Sequence, residues 1–358
     1  MRRGQQEATF QWVFALLAGG VFFVMFFLAF KGCAETSTEA TGTLGLKAAK
    51  EKLATMAWEP DTTTSMTLSQ VAVTCPAGVI TLSSQATQPQ TLDYVPVFLP
   101  PFLDGKIVTV SKQLALVQEG TPSIPLGNAL YAIDESVLYL VTDQAVFDTV
   151  QRVLGSHKTI VVVDEEPTSV KDYAVPSHIK TLVIVEEGIV LNSVPPQTTA
   201  KVYGIVVELD DVGSGGVIGF AKRTSAGHWE NIDGQNPRMK YFDEYQLVGA
   251  IISGKKPTYA CTRKVLVDRM RILTKIYEKR LKKMSGDNSF DPPDGLLKDC
   301  KPHVDKALGL LYLDGNYKGI NEQTNDDSYL AALYNTNPVS SLMNYQSLLY
   351  GLNCPVIA

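Results

Sequence analysis

Four apolar runs decide the fold of this chain: VLYLVTD at 137–143, TIVVVDEE at 159–166, TLVIVEE at 181–187 and KVYGIVVELDD at 201–211. Each run is apolar at consecutive positions, which is typical of parallel strands because both faces of such a sheet are covered. A helix is predicted over residues 144–154, with Asp143 as its N-cap and Gly155 as its C-terminal stop. We therefore predict a Rossmann-like α/β unit with a parallel sheet over residues 128–225.

The segments that flank this unit have different patterns. Residues 61–127 contain short runs rich in β-branched residues, separated by turn residues, and predict a β-rich subdomain. Residues 226–358 predict a helical C-terminal region, because apolar residues recur there at three- and four-residue intervals. Residues 31–60 predict a polar tether and a short helix. The expected fold class is α/β, in the form of an α+β composite.

Residues 10–30 form a run of 21 residues without a charge, FQWVFALLAGGVFFVMFFLAF. As a helix this run is about 31 Å long, which matches a hydrocarbon core of about 30 Å. The alternative is a cleaved secretory signal, whose apolar stretch usually covers about 7–15 residues. The run therefore predicts a single transmembrane helix that is retained and contacts the lipid bilayer.

The basic residues around this run predict the orientation of the chain. Arg2 and Arg3 precede the run, and only Lys31 follows it closely. Because basic residues are retained on the cytoplasmic side, residues 1–9 are expected in the cytoplasm. Residues 34–358 are then expected on the extracytoplasmic side of the cell membrane.

Five cysteines are present, at positions 33, 75, 261, 300 and 354. An oxidising exterior permits disulfides, and the wide spacing without any CxxC pair argues against a zinc site. A bridge between Cys261 and Cys300 is the leading prediction, provided that the chain after the intervening helix returns along it. Cys75 and Cys354 are a second predicted pair.

Carboxylates stand at the end of each predicted parallel strand, at Asp143, Asp164, Glu165, Glu186, Asp210 and Asp211. Ligands of open α/β sheets bind outside the carboxyl ends of the strands, and oxygen-rich clusters suit Mg²⁺ or Ca²⁺. The simpler interpretation is that charged residues mark where each strand returns to water. We therefore expect no cofactor, and a cation or catalytic site is the second hypothesis.

Other motifs do not identify a reaction. Gly213-Ser214-Gly215-Gly216 is followed by a strand pattern, so it predicts a hairpin turn rather than a phosphate-binding loop. His228-Trp229-Glu230 lies in a polar loop that could bind a ligand or simply face solvent. A GxSxG nucleophile motif is absent from the sequence, and no catalytic residue can be named.

Residues 261–284 carry nine basic residues and only two acids, Asp268 and Glu278. The rest of the chain after the predicted span is strongly acidic. This imbalance predicts attraction of the helix either to other parts of the chain or to anionic partners such as lipid headgroups. Nucleic acid is not an expected partner outside the cell.

The N-terminal residues Arg2-Arg3-Gly4-Gln5, with Glu7, resemble the start of archaeal class III (pilin-like) signal segments. The polar gap before Phe10 departs from that pattern. The layout is also similar to uncharacterised single-span envelope proteins of archaea. The resemblance covers about 30 of the 358 residues and implies no activity.

Three functions remain open from the sequence. The first is a membrane-anchored extracytoplasmic protein that binds an envelope partner or joins an envelope assembly, without catalysis. The second is an anchored hydrolase or cation-binding enzyme that uses the strand-end carboxylates. The third is a pilin-like subunit of a surface filament.

Overall fold

The structure is a computed structural model that describes residues 46–59, 63–68, 71–74, 80–84, 87–103, 105–116, 124–163, 170–209, 215–224, 228–231, 238–285, 300–311 and 325–334. The predicted transmembrane helix at 10–30 lies outside these residues, as does the tip at 1–9. Among the described helices, none combines the length and the apolar character that a bilayer crossing needs.

Seven strands precede the parallel sheet: β1 (Thr63–Leu68), β2 (Val71–Thr74), β3 (Ile80–Ser84), β4 (Thr87–Leu92), β5 (Val97–Phe98), β6 (Gly105–Leu116) and β7 (Ile124–Asp134). They form a four-stranded sheet of order β1-β6-β7-β5 and a three-stranded sheet of order β2-β3-β4. Most neighbours are antiparallel, whereas β5 runs parallel to β7. The boundary predicted at residue 127 falls inside β7, because Pro125 and Gly127, which are residue types common in turns, pair with β6.

The second half of the chain adds seven strands to form one sheet: β8 (Val137–Val141), β9 (Ile160–Val162), β10 (Thr181–Glu187), β11 (Lys201–Leu209), β12 (Gly216–Arg223), β13 (Trp229–Asn231) and β14 (Met239–Tyr241). Its order is β13-β12-β11-β10-β8-β9, and β14 also pairs with β12. β9, β8, β10 and β11 are parallel, as their apolar runs predict, and β12 to β14 extend the sheet antiparallel.

Six helices are described: α1 (46–56), α2 (Gln144–Leu154), α3 (Glu244–Ser253), α4 (Lys256–Ser285), α5 (Lys301–Leu311) and α6 (Asp326–Tyr334). α2 connects β8 to β9 and begins where the sequence predicts, because Asp143 Oδ1 accepts a hydrogen bond from the backbone N–H of Val146 at 2.8 Å. The fold is therefore mixed α/β. The region predicted as helical also holds β13 and β14, which pair with the outer edge of β12.

The two faces of the seven-stranded sheet are covered differently. One face packs against α2, α3 and α4 through residues such as Val137 on β8 and Val185 on β10. The other face carries Leu140 and Ile184, which pack with Ile179 and other residues of irregular segments. A doubly wound unit has helices on both faces, so the structure departs from that expectation. Buried strands need apolar cover of any kind, and the sequence pattern does not distinguish a helix from a loop.

The basic helix α4 uses its arginines inside the protein. Arg269 is only 3% exposed and donates to the carbonyl oxygen of Ala57 at 2.8 Å. Its guanidinium also lies 4.0 Å from the ring centroid of Trp58. Arg263 forms an ion pair with Asp327. Part of the positive charge of α4 is therefore neutralised or bound within the chain.

The structure does not allow the predicted disulfide between Cys261 and Cys300. Both residues take part in disulfides, but α4 is continuous from Cys261 to Ser285, a rise of about 36 Å. Ser285 donates a hydrogen bond to Asp305 on α5, so Cys300 lies near the far end of α4. A disulfide requires Cα atoms within about 7 Å, and each cysteine must therefore have another partner.

Candidate functional site

The structure places two of the six predicted strand-end carboxylates. Asp143 follows β8 and Glu186 lies near the end of β10, at the same edge of the sheet. Asp164, Glu165, Asp210 and Asp211 lie outside the described residues. Within the described part of the chain, no group of three or more His, Cys, Asp or Glu side chains could hold a metal ion.

The side chain of Asp143 interacts with that of Glu187 rather than with that of Glu186. A side-chain hydrogen bond with Asp143 is the main reason that the pKa of Glu187 is raised, and desolvation and the negative charge of Asp143 act in the same direction. Successive residues of a strand point to opposite faces, so Glu187 and Glu186 cannot both face Asp143. The two described carboxylates of the prediction therefore have separate surroundings.

Glu186 holds the chain that connects β10 to β11. Its Oε2 accepts hydrogen bonds from the backbone N–H groups of Asn192 and Ser193, each at 3.0 Å. The connection, residues 188–200, contains no helix and crosses the sheet to reach the start of β11. We call residues 188–200 the crossover.

Three further side chains fix the crossover against the antiparallel end of the sheet. Trp229 Nε1 donates to the carbonyl oxygen of Ser193 at 3.0 Å. Arg223 donates to the carbonyl oxygen of Pro196 at 3.1 Å, and Arg238 donates to the carbonyl oxygen of Ile189 at 3.1 Å. Backbone groups that lack a helix or strand partner are thus bound by side chains from β12, β13 and the start of β14.

A pocket of about 320 Å³ lies between the crossover and the strands β11 to β13. We call it the crossover pocket. Its volume is at the lower end of the range for small-ligand sites, about 300–1,000 Å³. It is lined by Ile189, Val190, Leu191, Val206, Glu208, Gly219, Phe220, Ala221, Trp229 and Arg238. The lining is mostly apolar, with one acid and one base.

Two glycines make room on this face of the sheet. A Cβ at Gly204 would overlap with the side chain of Leu191 and would lie 3.0 Å from the indole of Trp229. Gly204 therefore lets these side chains lie directly on β11. A Cβ at Gly219 would meet only Val206 at 3.7 Å and Arg238 at 4.0 Å, so Gly219 forms an open floor of the pocket.

The charged groups of the pocket are paired with each other. Arg238 Nη1 lies 2.7 Å from Glu208 Oε1, and both side chains are partly exposed. Such a pair contributes little to stability. It places one positive and one negative group beside an apolar floor, and a polar end of a ligand could exchange hydrogen bonds with either of them.

The rim of the pocket exposes apolar surface. Ile189 is 67% exposed and Val190 is 62% exposed, and both residues line the pocket. Single exposed apolar residues are common, but two adjacent ones at the mouth of an apolar pocket form a continuous surface. This apolar surface is continuous with the lining of the pocket.

Sequence reasoning found only one residue of this site. The sequence motif His228-Trp229-Glu230 indicates a loop that could bind a ligand. The structure places Trp229 in the pocket wall, whereas His228 and Glu230 are exposed. The remaining lining residues belong to a strand pattern or to the crossover, whose course over the sheet has no local signal.

Comparison of the chain with protein-family models, with curated proteins and with solved structures finds no match.

Proposed function

We propose that the chain is a binding module of the cell envelope, which takes an apolar group of a partner protein in the crossover pocket. The observation that carries the proposal is the apolar pocket with Ile189 and Val190 exposed at its mouth. Full burial of one such side chain contributes roughly 1.5–3 kcal/mol, so a partner that covered both would gain on the order of 3 kcal/mol before the costs of association.

The chemistry of the pocket lining favours binding over catalysis. The pocket is lined by aliphatic and aromatic side chains, two small residues and one ion pair. A general acid or base must reach the proton that it transfers. Glu208 is held in an ion pair with Arg238, so the one acid of the lining is already engaged by a neighbouring side chain.

The crossover is held in place before any partner arrives. Glu186, Arg223, Trp229 and Arg238 together bind four positions of its backbone. A pocket whose roof is already ordered loses less conformational entropy on binding. We therefore infer that the partner contributes the flexible or protruding group and that this chain contributes the rigid receptor.

The proposal also includes the membrane anchor. An uncharged run of 21 residues at 10–30 supports a single span, with residues 1–9 in the cytoplasm and residues 34–358 outside. The crossover pocket is then presented to other proteins of the envelope.

Site-specific photo-crosslinking tests the proposed function. A photoreactive amino acid at Ile189, in cells that produce the full chain, should form adducts with an envelope protein. Gly219→Val should remove these adducts, because the added methyl groups occupy the floor of the pocket. Gly219→Ala is the matched control, since a single Cβ there makes only ordinary contacts and leaves most of the pocket open. A probe at Tyr94, which is exposed on the β-rich part, controls for non-specific adducts.

Two results would contradict the proposal. Adducts from Ile189 that persist unchanged in Gly219→Val would show that the partner does not enter the pocket. Equal yields from Ile189 and Tyr94 would show that the adducts are non-specific. Adducts between two copies of the chain would favour the filament-subunit hypothesis instead.

A further inference from the structure

We propose that an exposed stripe on the C-terminal half of α4 binds the anionic headgroups of the membrane surface. The stripe consists of Ile272, Lys275, Ile276, Lys279 and Lys283. These residues follow one another at intervals of one, three or four positions and lie on one side of the helix. We call this surface the lysine–isoleucine stripe.

The two sides of α4 differ sharply at this position. Tyr277 and Leu281 are buried in the core, whereas Ile272 and Ile276 are 38% and 42% exposed. Neither isoleucine belongs to the core cluster. A helix with a buried side and a second apolar strip among lysines has the composition of a segment that lies at a membrane interface.

The lysines of the stripe are available to an external anion. In the described part of the chain, Lys275, Lys279 and Lys283 form no ion pair. Lys282, just beside the stripe, is different, because its Nζ lies 2.6 Å from Glu278 Oε1. Three like charges on about two turns of helix repel one another, and an anionic surface would relieve this repulsion.

The position of α4 relative to the predicted anchor supports a lipid surface as the occupant. Fifteen residues, 31–45, separate the predicted span from α1, and they can extend over about 50 Å. The end of α1 lies against α4, since Arg269 donates to Ala57 and stacks on Trp58. The first residue of α1, Leu46, packs in the same buried cluster as Val265 of α4, so the chain enters the folded part beside α4. This step rests on the membrane anchor of the proposed function, but not on the crossover pocket.

Lysine acylation of the full chain in lipid nanodiscs tests the proposal. One disc contains phosphatidylcholine alone, and the other contains equal parts of phosphatidylcholine and phosphatidylglycerol. Each basic residue near an anionic surface adds about fivefold to the affinity. Three such residues raise the affinity about a hundredfold, so the stripe should be docked for most of the time in the anionic disc. The acylation rates of Lys275, Lys279 and Lys283, measured by mass spectrometry, should then fall by about fivefold or more. The exposed residues Lys171 and Lys201 are the internal controls and should react equally in both discs.

Salt and a charge reversal sharpen the test. Raising the ionic strength to about 1 M shortens the Debye length to about 3 Å and should restore the rates. Lys279→Glu should abolish most of the protection of Lys275 and Lys283. Because Lys279 is exposed, this substitution should leave the fold intact. Lys171→Glu is the matched control and should leave the protection unchanged.

Each contrary outcome has a distinct meaning. Equal acylation rates of the stripe in neutral and anionic discs would overturn the proposal. Protection that is already present in detergent micelles and increases with protein concentration would show that a second copy of the chain covers the stripe. That result would also overturn the proposal. If the chain is not retained in discs at all, the anchor is wrong. The acylation rates of the stripe, measured with added anionic vesicles, then test the docking surface independently of the anchor.

Discussion

Replacing Gly127 with alanine is expected to displace Arg269 and to weaken the contact between α4, β7 and the end of α1. Gly127 lies on β7 with φ of 85°, a conformation that disfavours any residue with a Cβ. A Cβ at this position would overlap with Arg269 Nη2 and would lie 3.0 Å from the carbonyl oxygen of Ala57. The guanidinium of Arg269 occupies the space that a side chain at position 127 would need.

The magnitude follows from the contacts that are lost. The positive φ costs alanine roughly 1 kcal/mol. A hydrogen bond to a charged group, such as that from Arg269 to Ala57, contributes about 2 kcal/mol, and the stacking on Trp58 contributes about 1 kcal/mol. Gly127→Ala should therefore lower the free energy of unfolding by about 4 kcal/mol. Arg269→Ala should lower it by about 3 kcal/mol, because the hydrogen bond and the ring contact are lost without the backbone strain.

A double-mutant cycle separates this explanation from two independent effects. The contacts of Arg269 can be lost only once, so Gly127→Ala with Arg269→Ala should cost about 4 kcal/mol and not the sum of about 7 kcal/mol. Gly155→Ala is the control for backbone strain without a side-chain clash, since Gly155 also has a positive φ, 79°, but no atom lies within 4 Å of an added Cβ. It should cost only the backbone term. Urea unfolding followed by circular dichroism gives the four free energies, and additive values would refute the reasoning.

Two further predictions concern Glu187 and the cysteines. Because the pKa of Glu187 is raised beside Asp143, the folded state favours the protonated form, and the stabilisation is present at low pH and is lost as the pH rises through that pKa. Glu187→Gln should therefore raise the melting temperature at neutral pH and have little effect in acid, and an equal change at both pH values would contradict this. Cys261 packs against a cluster that contains Ile80, so peptide mapping without reduction should find it linked to Cys75. Cys300 should then be linked to Cys354 or to Cys33. A peptide that joins Cys261 to Cys300 would contradict the geometry of α4.

The sequence predicts those elements of this fold that depend on neighbouring residues. The consecutive apolar residues of β8, β10 and β11 indicated parallel strands, and Asp143 indicated the start of α2, because a cap is a contact over three residues. The course of the crossover was not predictable in this way. Its backbone is held by Trp229 and Arg238, which lie far from it in sequence, and Gly219 matters only because of the strand and crossover that surround it.

The same limit applies to the charges of α4. A count of its bases predicts attraction to some anionic or polar group, but it does not distinguish Arg269 from Lys279. Arg269 is buried because a glycine on β7 leaves space for it, and that glycine lies 142 positions away in the sequence. Burial lowers the pKa of Arg269 to about 10, so the group remains charged at neutral pH and its hydrogen bonds retain the strength of a charged donor.

The two proposed surfaces are compatible because α4 and the crossover pocket lie on opposite faces of the seven-stranded sheet. Tyr259 of α4 packs on the ring of Phe220, and the neighbouring residues Gly219 and Ala221 of β12 point to the other face, where the crossover pocket lies. If the lysine–isoleucine stripe of α4 rests on the membrane, the sheet separates the bilayer from the pocket. The pocket then faces away from the lipid, toward the space in which a partner protein of the envelope can reach it.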